Sequence, residues 1–493
     1  MTGYRGDTLR PRLSMLDAAA IEYVHEQSLR LLEEVGVRVP LARAQAVLAD
    51  AGAQVDAETG IARLPRDLVE AALARAPRSV LLAARDPERD ALLDHTRTFA
   101  THDGMGAMCL DHRTGERRPS MARDLREAMT VADALDEIGV LWYTAYPCDE
   151  EPALQSLRGL QAMLAGSGKH VQGEVTDPAD VPYVMEILKA ASPDGAWHRE
   201  RPTFSIVYCP VSPLQHDAES LEAAILLAEQ GVPITVYSLA LTGATAPITL
   251  AGTAVQTNAE ELAAFAILQL AVPGCPLIYV GNAGVMDMRT STYTSAGPEE
   301  VLLNTALTEM GRTYGVPVLS CGLSTDAKEL CVQVGSDGAP MAYCTLLAGA
   351  DLLTGAGMLD SAQLLYLPKL VLDAELVRQG RRLLAGVAFD DEHVMLDVSA
   401  RVGPGGHFLA ARETRTFLRN GELQQPRLFV RGSYDGWVAE GKSEAQRAIE
   451  TVDEILATHQ PLPLPDGAAQ RIEDVIAAAA AEKGAAVTQQ PAA

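Results

Sequence analysis

Residues 321–360 read CGLSTDAKELCVQVGSDGAPMAYCTLLAGADLLTGAGMLD, and this stretch decides the fold class. A short apolar run, Val316 to Leu319, leads into Ser320, Gly322, Ser324, Thr325 and Asp326. A small-residue helix ending near Gly349 follows. A second apolar run, Leu352 to Leu353, then leads into Thr354, Gly355 and Gly357. Strand, polar tip, helix, strand, polar tip is the succession of an α/β enzyme, in which chemistry collects at the carboxyl ends of the strands.

The same succession extends outward from this stretch. From about Arg123 onward, strand-like runs begin near Val140, His170, Thr203, Ile234, Leu277, Val316 and Asp351, roughly 30 to 43 residues apart. Three connections share one punctuation: Gly231-Val-Pro233, Gly274-Cys-Pro276 and Gly315-Val-Pro317. Gly closes the preceding helix in a left-handed turn, and Pro opens the strand where no ladder donor is needed. Seven strand–helix units of this size predict a (β/α)8 TIM barrel, assigned to residues 126–400, whose eighth strand has no clear signal. The first strand is not followed by G-x-G-x-x-G, which argues against a dinucleotide site.

Residues 1–125 have a different texture. Asp17 is placed to cap a helix bearing Ile21, Val24, Leu31 and Val35, stopped by Gly36. The short runs Ser79–Ala83, Ala91–Leu93, Thr98–Thr101 and Ala107–Leu110 predict a small antiparallel sheet, so this region reads as a helical and β cap. A long helix is expected over Ser361–Leu384. Residues 401–493 then hold the loop VGPGGHFLA from Val402, a helix from Ser443 to Thr458, an Ala-rich helix and a tail whose last ten residues are expected to be disordered.

Composition narrows the function. With 40 Lys and Arg against 65 Asp and Glu, the 493-residue chain carries a formal charge of −25, which repels phosphate backbones and anionic lipid and argues against nucleic-acid binding. No apolar run reaches the length of a membrane span, and the opening MTGYRGDTLRPRL lacks the apolar core of a signal peptide. Seven scattered cysteines without a C-x-x-C pair are expected to be reduced thiols in a cytoplasmic protein, with no metal site among them.

The residues just past each strand share one pocket in a barrel. Here they include Tyr146 and Cys148, Gln172 and Glu174, Tyr208 and Cys209, Tyr237 and Ser238, Tyr279 and Asn282, Ser324 and Asp326, and Thr354. No strand ends in a Schiff-base Lys, and Lys169 precedes its strand. Tyrosine faces with a carboxylate suit a quaternary ammonium ion, which has no N–H to donate and is held by ring quadrupoles at about 0.5–2 kcal/mol each. A tyrosine in a strand is as readily ordinary core, so this reading requires at least two of them to line the pocket. The loop THDGMGAMC, Thr101 to Cys109, reads as a tight turn of the cap, because adjacent His102 and Asp103 point to opposite faces of a strand. The segment GPGGHFL, Gly403 to Leu409, reads either as a loop bringing His407 over the barrel mouth or as a rigid connector.

Several separated segments, in order, resemble the trimethylamine methyltransferase family: DHRTGERRPSMARDL (111–125), MDMRTSTY (286–293), GPEEVLLNTALTEMGRTYGVPV (297–318), GLSTDAKELCVQ (322–333), LLAGADLLTGAGML (346–359), KLVLDAELV (369–377) and VGPGGHFLAARET (402–414). The resemblance implies a TIM barrel that passes a methyl group from a methylated amine to cobalamin on a separate small corrinoid protein, with no cofactor tightly bound to the barrel itself. Founding members carry pyrrolysine; this chain has only ordinary residues around Gly322 to Gln333, as in the branch typified by a glycine betaine methyltransferase. The family often has His-Thr where this chain has Glu413-Thr414.

The resemblance and the strand positions together give the expected site. Tyr146, Tyr208, Tyr237 and Tyr279 would enclose the cation, with Glu174 or Asp326 adding charge. Gln333, Asn282, His407 and Arg289 would hold a carboxylate or orient the substrate. A metal-free barrel lyase or decarboxylase, and a betaine-binding protein without catalysis, remain as alternatives at this level, and self-association is left open.

Overall fold

The structure is a computed structural model that describes residues 8–9 and 11–484; the tail expected to be disordered lies outside the described residues from 485 on. Eight parallel strands form its central sheet: β1 (Phe99–His102), β2 (Val140–Trp142), β3 (His170–Gly173), β4 (Phe204–Tyr208), β5 (Ile234–Val236), β6 (Leu277–Gly281), β7 (Val318–Cys321) and β8 (Leu352–Ala356). Their spatial order follows the chain from β2 to β8, with β1 paired to β8 through Leu352 opposite Phe99. The seam between β1 and β2 is bridged by the N–H of Gly139 donating to the carbonyl of Ala100 at 2.9 Å. The result is the expected TIM barrel.

Each strand is followed by a helix on the outer wall: α1 (Ala122–Ala134), α2 (Gln155–Gly166), α3 (Val181–Ala191), α4 (Ala218–Glu229), α5 (Leu250–Ala271), α6 (Pro298–Tyr314), α7 (Val332–Ala348) and α8 (Leu367–Ala385). The seven strands expected from sequence begin within two residues of their anticipated starts. Gly231, Gly274 and Gly315 all take positive φ, 78°, 78° and 70°, as their Gly-x-Pro punctuation requires. Lys169 caps the end of α1: its buried ammonium donates to the carbonyls of Ala132, Leu135 and Ile138 at 2.7–2.8 Å.

Three expectations are corrected. The run Thr98–Thr101 is not part of a cap sheet; as Phe99–His102 it is the missing barrel strand, so the barrel begins well before residue 126. Of the other runs assigned to that cap sheet, Val80–Leu82 pairs with Ala91–Leu93, whereas Met108–Leu110 pairs with Arg117–Pro119 and with Leu364–Leu365 in a separate small sheet. The long helix after β8 starts at Leu367 rather than Ser361, because Leu364–Leu365 is drawn into that small sheet.

The N-terminal helix, Ala18–Glu34, is capped by the Asp17 carboxylate accepting from the N–H of Ala20 at 2.8 Å. After α8 the chain forms four short helices, α9 (Asp391–Val394), α10 (Leu396–Val402), α11 (Arg412–Arg419) and α12 (Tyr434–Glu440), and then two longer ones, α13 (Glu444–Thr458) and α14 (Ala468–Lys483). Among the described residues no helix is long and apolar enough to cross a membrane.

Candidate active site

Alternation along each strand decides which side chains enter the barrel. A layer of polar groups marks the inward face: the ring of His170 and the hydroxyl of Ser205 lie 2.8 Å apart, and Ser205 and Thr235 both approach the Gln172 amide oxygen at 3.4 Å. Continuing the same parity toward the carboxyl ends brings Glu174, Cys209 and Tyr237 into the mouth. From β1, which the sequence reading left out of the barrel, comes Asp103.

These groups meet. A Cβ added to Gly104 would lie 3.6 Å from a Glu174 carboxylate oxygen and 3.6 Å from the Trp142 ring, which puts a carboxylate and an indole side by side over the first loop. The Trp142 and Tyr237 rings stand 5.7 Å apart, tilted by 55°. The Tyr237 hydroxyl accepts from the Asn282 amide at 2.8 Å, fixing the ring, and the Asn282 carbonyl oxygen is left buried without a partner. Asp103 accepts from the N–H of Gly104 at 2.8 Å and from the Ser324 hydroxyl at 3.3 Å; the Cys321 sulfur lies 2.9 Å from that hydroxyl. Tyr146 borders the same recess: its ring lies 6.1 Å from that of Tyr143, and the charge of Glu174 acts on its hydroxyl.

The hairpin of Gly284–Asp287 and Thr292–Thr294, which follows β6, adds Tyr293, a residue the sequence reading did not single out. Its ring packs against Gly284, and its hydroxyl lies 3.2 Å from that of Ser295. Below it Glu300, fully buried at the start of α6, accepts from the N–H of Ala296, and its other carboxylate oxygen completes no regular hydrogen bond among the described residues.

The electrostatics of this recess are one-sided. Burial pushes the Glu174 carboxyl up to about 7, and the neighbouring charge of Asp103 pushes the same way; the Trp142 indole N–H, which completes no regular hydrogen bond, offsets part of this. Burial also raises Glu300, to about 8, and Asp103. Asp103 acts on the hydroxyls of Tyr237 and Tyr293, so the acids and phenols share one space. A cation that acts on Asp103 is Lys369, itself fully buried and held by Asp373 at 2.6 Å and the Leu323 carbonyl at 2.7 Å. The recess is deep yet open: Cys209 is exposed to solvent although densely surrounded, and Glu174 and Tyr293 are part-exposed.

Its frame is rigid. Gly355, at φ 109°, lies so close to the loop after β7 that an added Cβ would sit 2.6 Å from the Ser324 nitrogen. Glu261 on α5 accepts from the N–H groups of Ser238 and Val280, tying the ends of β5 and β6 to that helix.

The remaining sequence candidates are placed elsewhere. Asp326 stands at the rim, where it accepts from the N–H of Ser295 at 2.7 Å and from the Ser361 hydroxyl, joining three loops. Tyr208 and Tyr279 are turned out of the barrel. The Tyr208 hydroxyl lies 2.6 Å from the Nδ1 of His216 in hydrogen-bond contact, and Tyr279 donates to Asn258 on α5 at 2.9 Å. Both have the parity opposite to Ser205 and Asn282, so they pack under the outer helices and do not line the mouth. Gln333 is exposed on the first turn of α7, and Arg289 extends from the hairpin turn, 90% exposed and paired with Asp287. His407 is exposed on the segment that leaves α8. The C-terminal part of α8 lies at the opposite end of the barrel from the mouth, since Arg381 there reaches the carbonyls of Thr98, Asp136 and Glu137, just before β1 and β2. Glu413, on the same segment, pairs with Arg401 at 2.7 Å. Among the described residues no group of three or more His, Cys, Asp or Glu side chains is arranged to hold a metal ion.

Known proteins resemble this chain over nearly its whole length. A family model for trimethylamine methyltransferases matches residues 7–484. A trimethylamine methyltransferase of Desulfitobacterium hafniense is 30% identical over 464 residues, 94% of this chain and 93% of that protein. A glycine betaine methyltransferase from another strain of the same species is 29% identical over 478 residues, 97% of this chain and 99% of its own. Among solved structures, the monomethylamine methyltransferase of Methanosarcina barkeri shares the fold, with a TM-score of 0.53 at 12% identity over 95% of this chain and 90% of that one.

Proposed function

This chain belongs to the trimethylamine methyltransferase family, and from that premise we propose that it moves a methyl group from a quaternary amine, a betaine of the glycine betaine kind, to the cobalamin of a separate small corrinoid protein. The observation that carries the reading is the acid-lined aromatic recess at the barrel mouth, formed by Asp103 and Glu174 with Trp142, Tyr237 and Tyr293.

A quaternary nitrogen already carries its positive charge. When its N–CH3 bond breaks, the electron pair stays on nitrogen and a neutral tertiary amine leaves, so no general acid is needed. Bound on the partner, the reduced corrinoid supplies the nucleophile that accepts the methyl group. This chain's residues bind and aim. Ring faces of Trp142, Tyr237 and Tyr293 attract the cation at about 0.5–2 kcal/mol each, and a bound cation would favour the ionised form of Asp103 that burial disfavours. A betaine carboxylate would meet the Trp142 N–H, which faces Glu174 without completing a regular hydrogen bond among the described residues, and the neutral form of Glu174, which donates an O–H. Asn282 holds Tyr237 in place, and Asp326 fixes the rim loops. Holding one methyl in line at an open mouth is the enzyme's task, and orientation of this kind supplies much of the barrier reduction.

The test mixes the protein with reduced corrinoid partner and candidate amines while the cobalt absorbance is followed. A substrate-dependent change with glycine betaine or a related betaine is expected. Change with trimethylamine but with no quaternary amine would overturn the reading.

A further inference from the structure

We propose that the side-chain amide oxygen of Asn282 anchors one N-methyl group of the bound quaternary amine and so decides which methyl faces the barrel mouth. This rests on the function proposed above and gives that reading a positioning residue. Register places the amide in the recess. Tyr279 and Gly281 of β6 face outward, the one bonded to Asn258 and the other packed against Thr308 on α6, so Asn282 takes the inward parity. Its nitrogen donates to the Tyr237 hydroxyl at 2.8 Å, and the N–H of Ala283 behind it donates to Asn304 at 3.0 Å. The amide is held from both sides.

Its oxygen is the unfinished part. No donor among the described residues reaches it, and Asn282 is only 1% exposed. A buried acceptor in that position costs about 1–3 kcal/mol, which a bound group with a donor removes. The neighbours say which donor. Beside the amide stand the faces of Tyr237 and Trp142, 5.7 Å apart, and the charge of Asp103 acts on Tyr237, surroundings that suit a cation. A quaternary nitrogen has no N–H, but its charge is spread over the methyl hydrogens, and each methyl becomes a C–H donor. Such a contact contributes about 0.5–1 kcal/mol, and more where water is excluded.

The placement also orients. Asn282 is less exposed than Trp142, Tyr237 or Asp103, so it marks the bottom of the recess, and a methyl anchored there points inward. At a tetrahedral nitrogen the other three substituents then lean back toward the walls and the mouth. One carries the carboxylate to Trp142 and Glu174, and another methyl is left facing the mouth. Alignment of this kind is what a displacement without acid–base assistance needs.

Calorimetry compares glycine betaine with tert-butylacetate, its carbon isostere, whose methyl groups carry no positive charge. The wild-type chain should prefer the betaine about tenfold or more. Asn282→Leu should cut that preference about threefold or more. Tyr237→Phe keeps the ring and the Asn282 oxygen but removes the bond between the two residues, and it should cut the preference less. Equal losses would mean that Asn282 acts only by holding Tyr237, and would overturn the proposal. Orientation is read apart from affinity. With saturating betaine and reduced corrinoid partner, Asn282→Leu should transfer methyl about threefold more slowly or worse, and an unchanged rate overturns the orienting role. Should Asn282→Leu misfold, Asn282→Asp decides. It is nearly isosteric and keeps an acceptor, so it should bind tetramethylammonium at pH 8 about threefold more tightly than the wild type; equal or weaker binding overturns the contact. A wild-type chain that prefers betaine yet transfers no methyl refutes the proposed function and the orienting role with it. A chain that transfers methyl but keeps its full preference in Asn282→Leu refutes the Asn282 contact alone.

Discussion

Replacing Glu174 by Gln separates charge from hydrogen bonding in the recess. An ionised carboxylate about 5 Å from a quaternary nitrogen attracts it by about 3 kcal/mol at an effective dielectric of 20. Glu174 is part-open to solvent, so screening reduces this to roughly 1.5 kcal/mol, or about tenfold in affinity. With its pKa pushed up to about 7, the free side chain is about one-tenth ionised at pH 6 and about nine-tenths at pH 8. The wild-type protein should therefore bind tetramethylammonium about fivefold more tightly at pH 8 than at pH 6. Binding of the cation in turn favours the ionised form and lowers that pKa. In Glu174→Gln the affinity at pH 8 should fall to near the wild-type value at pH 6, with a shallower pH dependence. Asp103 and Glu300, also raised by burial, face the same recess, so the readout is the difference between variant and wild type. Glycine betaine should be hurt less, because Gln still donates to its carboxylate. Isothermal calorimetry with both ligands at several pH values measures all of this. A variant that binds tetramethylammonium at pH 8 as tightly as the wild type, or gains affinity with pH as steeply, refutes the placement of Glu174 beside the cation.

Three further outcomes are expected. Tyr293→Leu should weaken cation binding by about 0.5–2 kcal/mol, a two- to thirtyfold rise in Kd, whereas Tyr279→Phe should leave Kd unchanged and cost only about 1 kcal/mol of stability, since its hydroxyl serves Asn258 on the outer wall; titration and denaturant unfolding check the pair. Gly355→Ala forces a Cβ against the Ser324 backbone at φ 109° and should lower stability by about 2–4 kcal/mol, read as a reduced unfolding midpoint. Lys369→Met leaves Asp373 buried without its partner and frees the Leu323 carbonyl. A loss of about 3–5 kcal/mol is expected, largest at neutral pH and smaller in acid, where Asp373 takes up a proton; urea melts at pH 5 and 8 test it.

What the sequence determined by itself was the periodic part of the molecule. Seven strands were legible because each is a short apolar run closed by local signals, and three of those signals, Gly-x-Pro, dictate backbone angles that the structure repeats at Gly231, Gly274 and Gly315. Asp17 and Ser443 announced their helices for the same reason, since a cap acts on amides two or three residues away. The family resemblance, carried by ordered segments, was likewise a property of the chain read in line.

Only the tertiary structure decided which strand closes the barrel and which side chains see its mouth. Phe99–His102 is four residues long, and its partner in β8 lies some 250 residues later, so nothing local distinguishes it from the hairpin runs around it. Asp103 was misplaced with it. The parity of the tyrosines was hidden for a related reason: strands buried on both faces read as continuous apolar runs, and a shift of one residue exchanges the inner face for the outer. Tyr208 and Cys209 are neighbours in the chain, yet one packs on His216 outside the barrel and the other lines the recess. That choice is made by register against the adjacent strands, a relation between distant residues that a chain read in order does not contain.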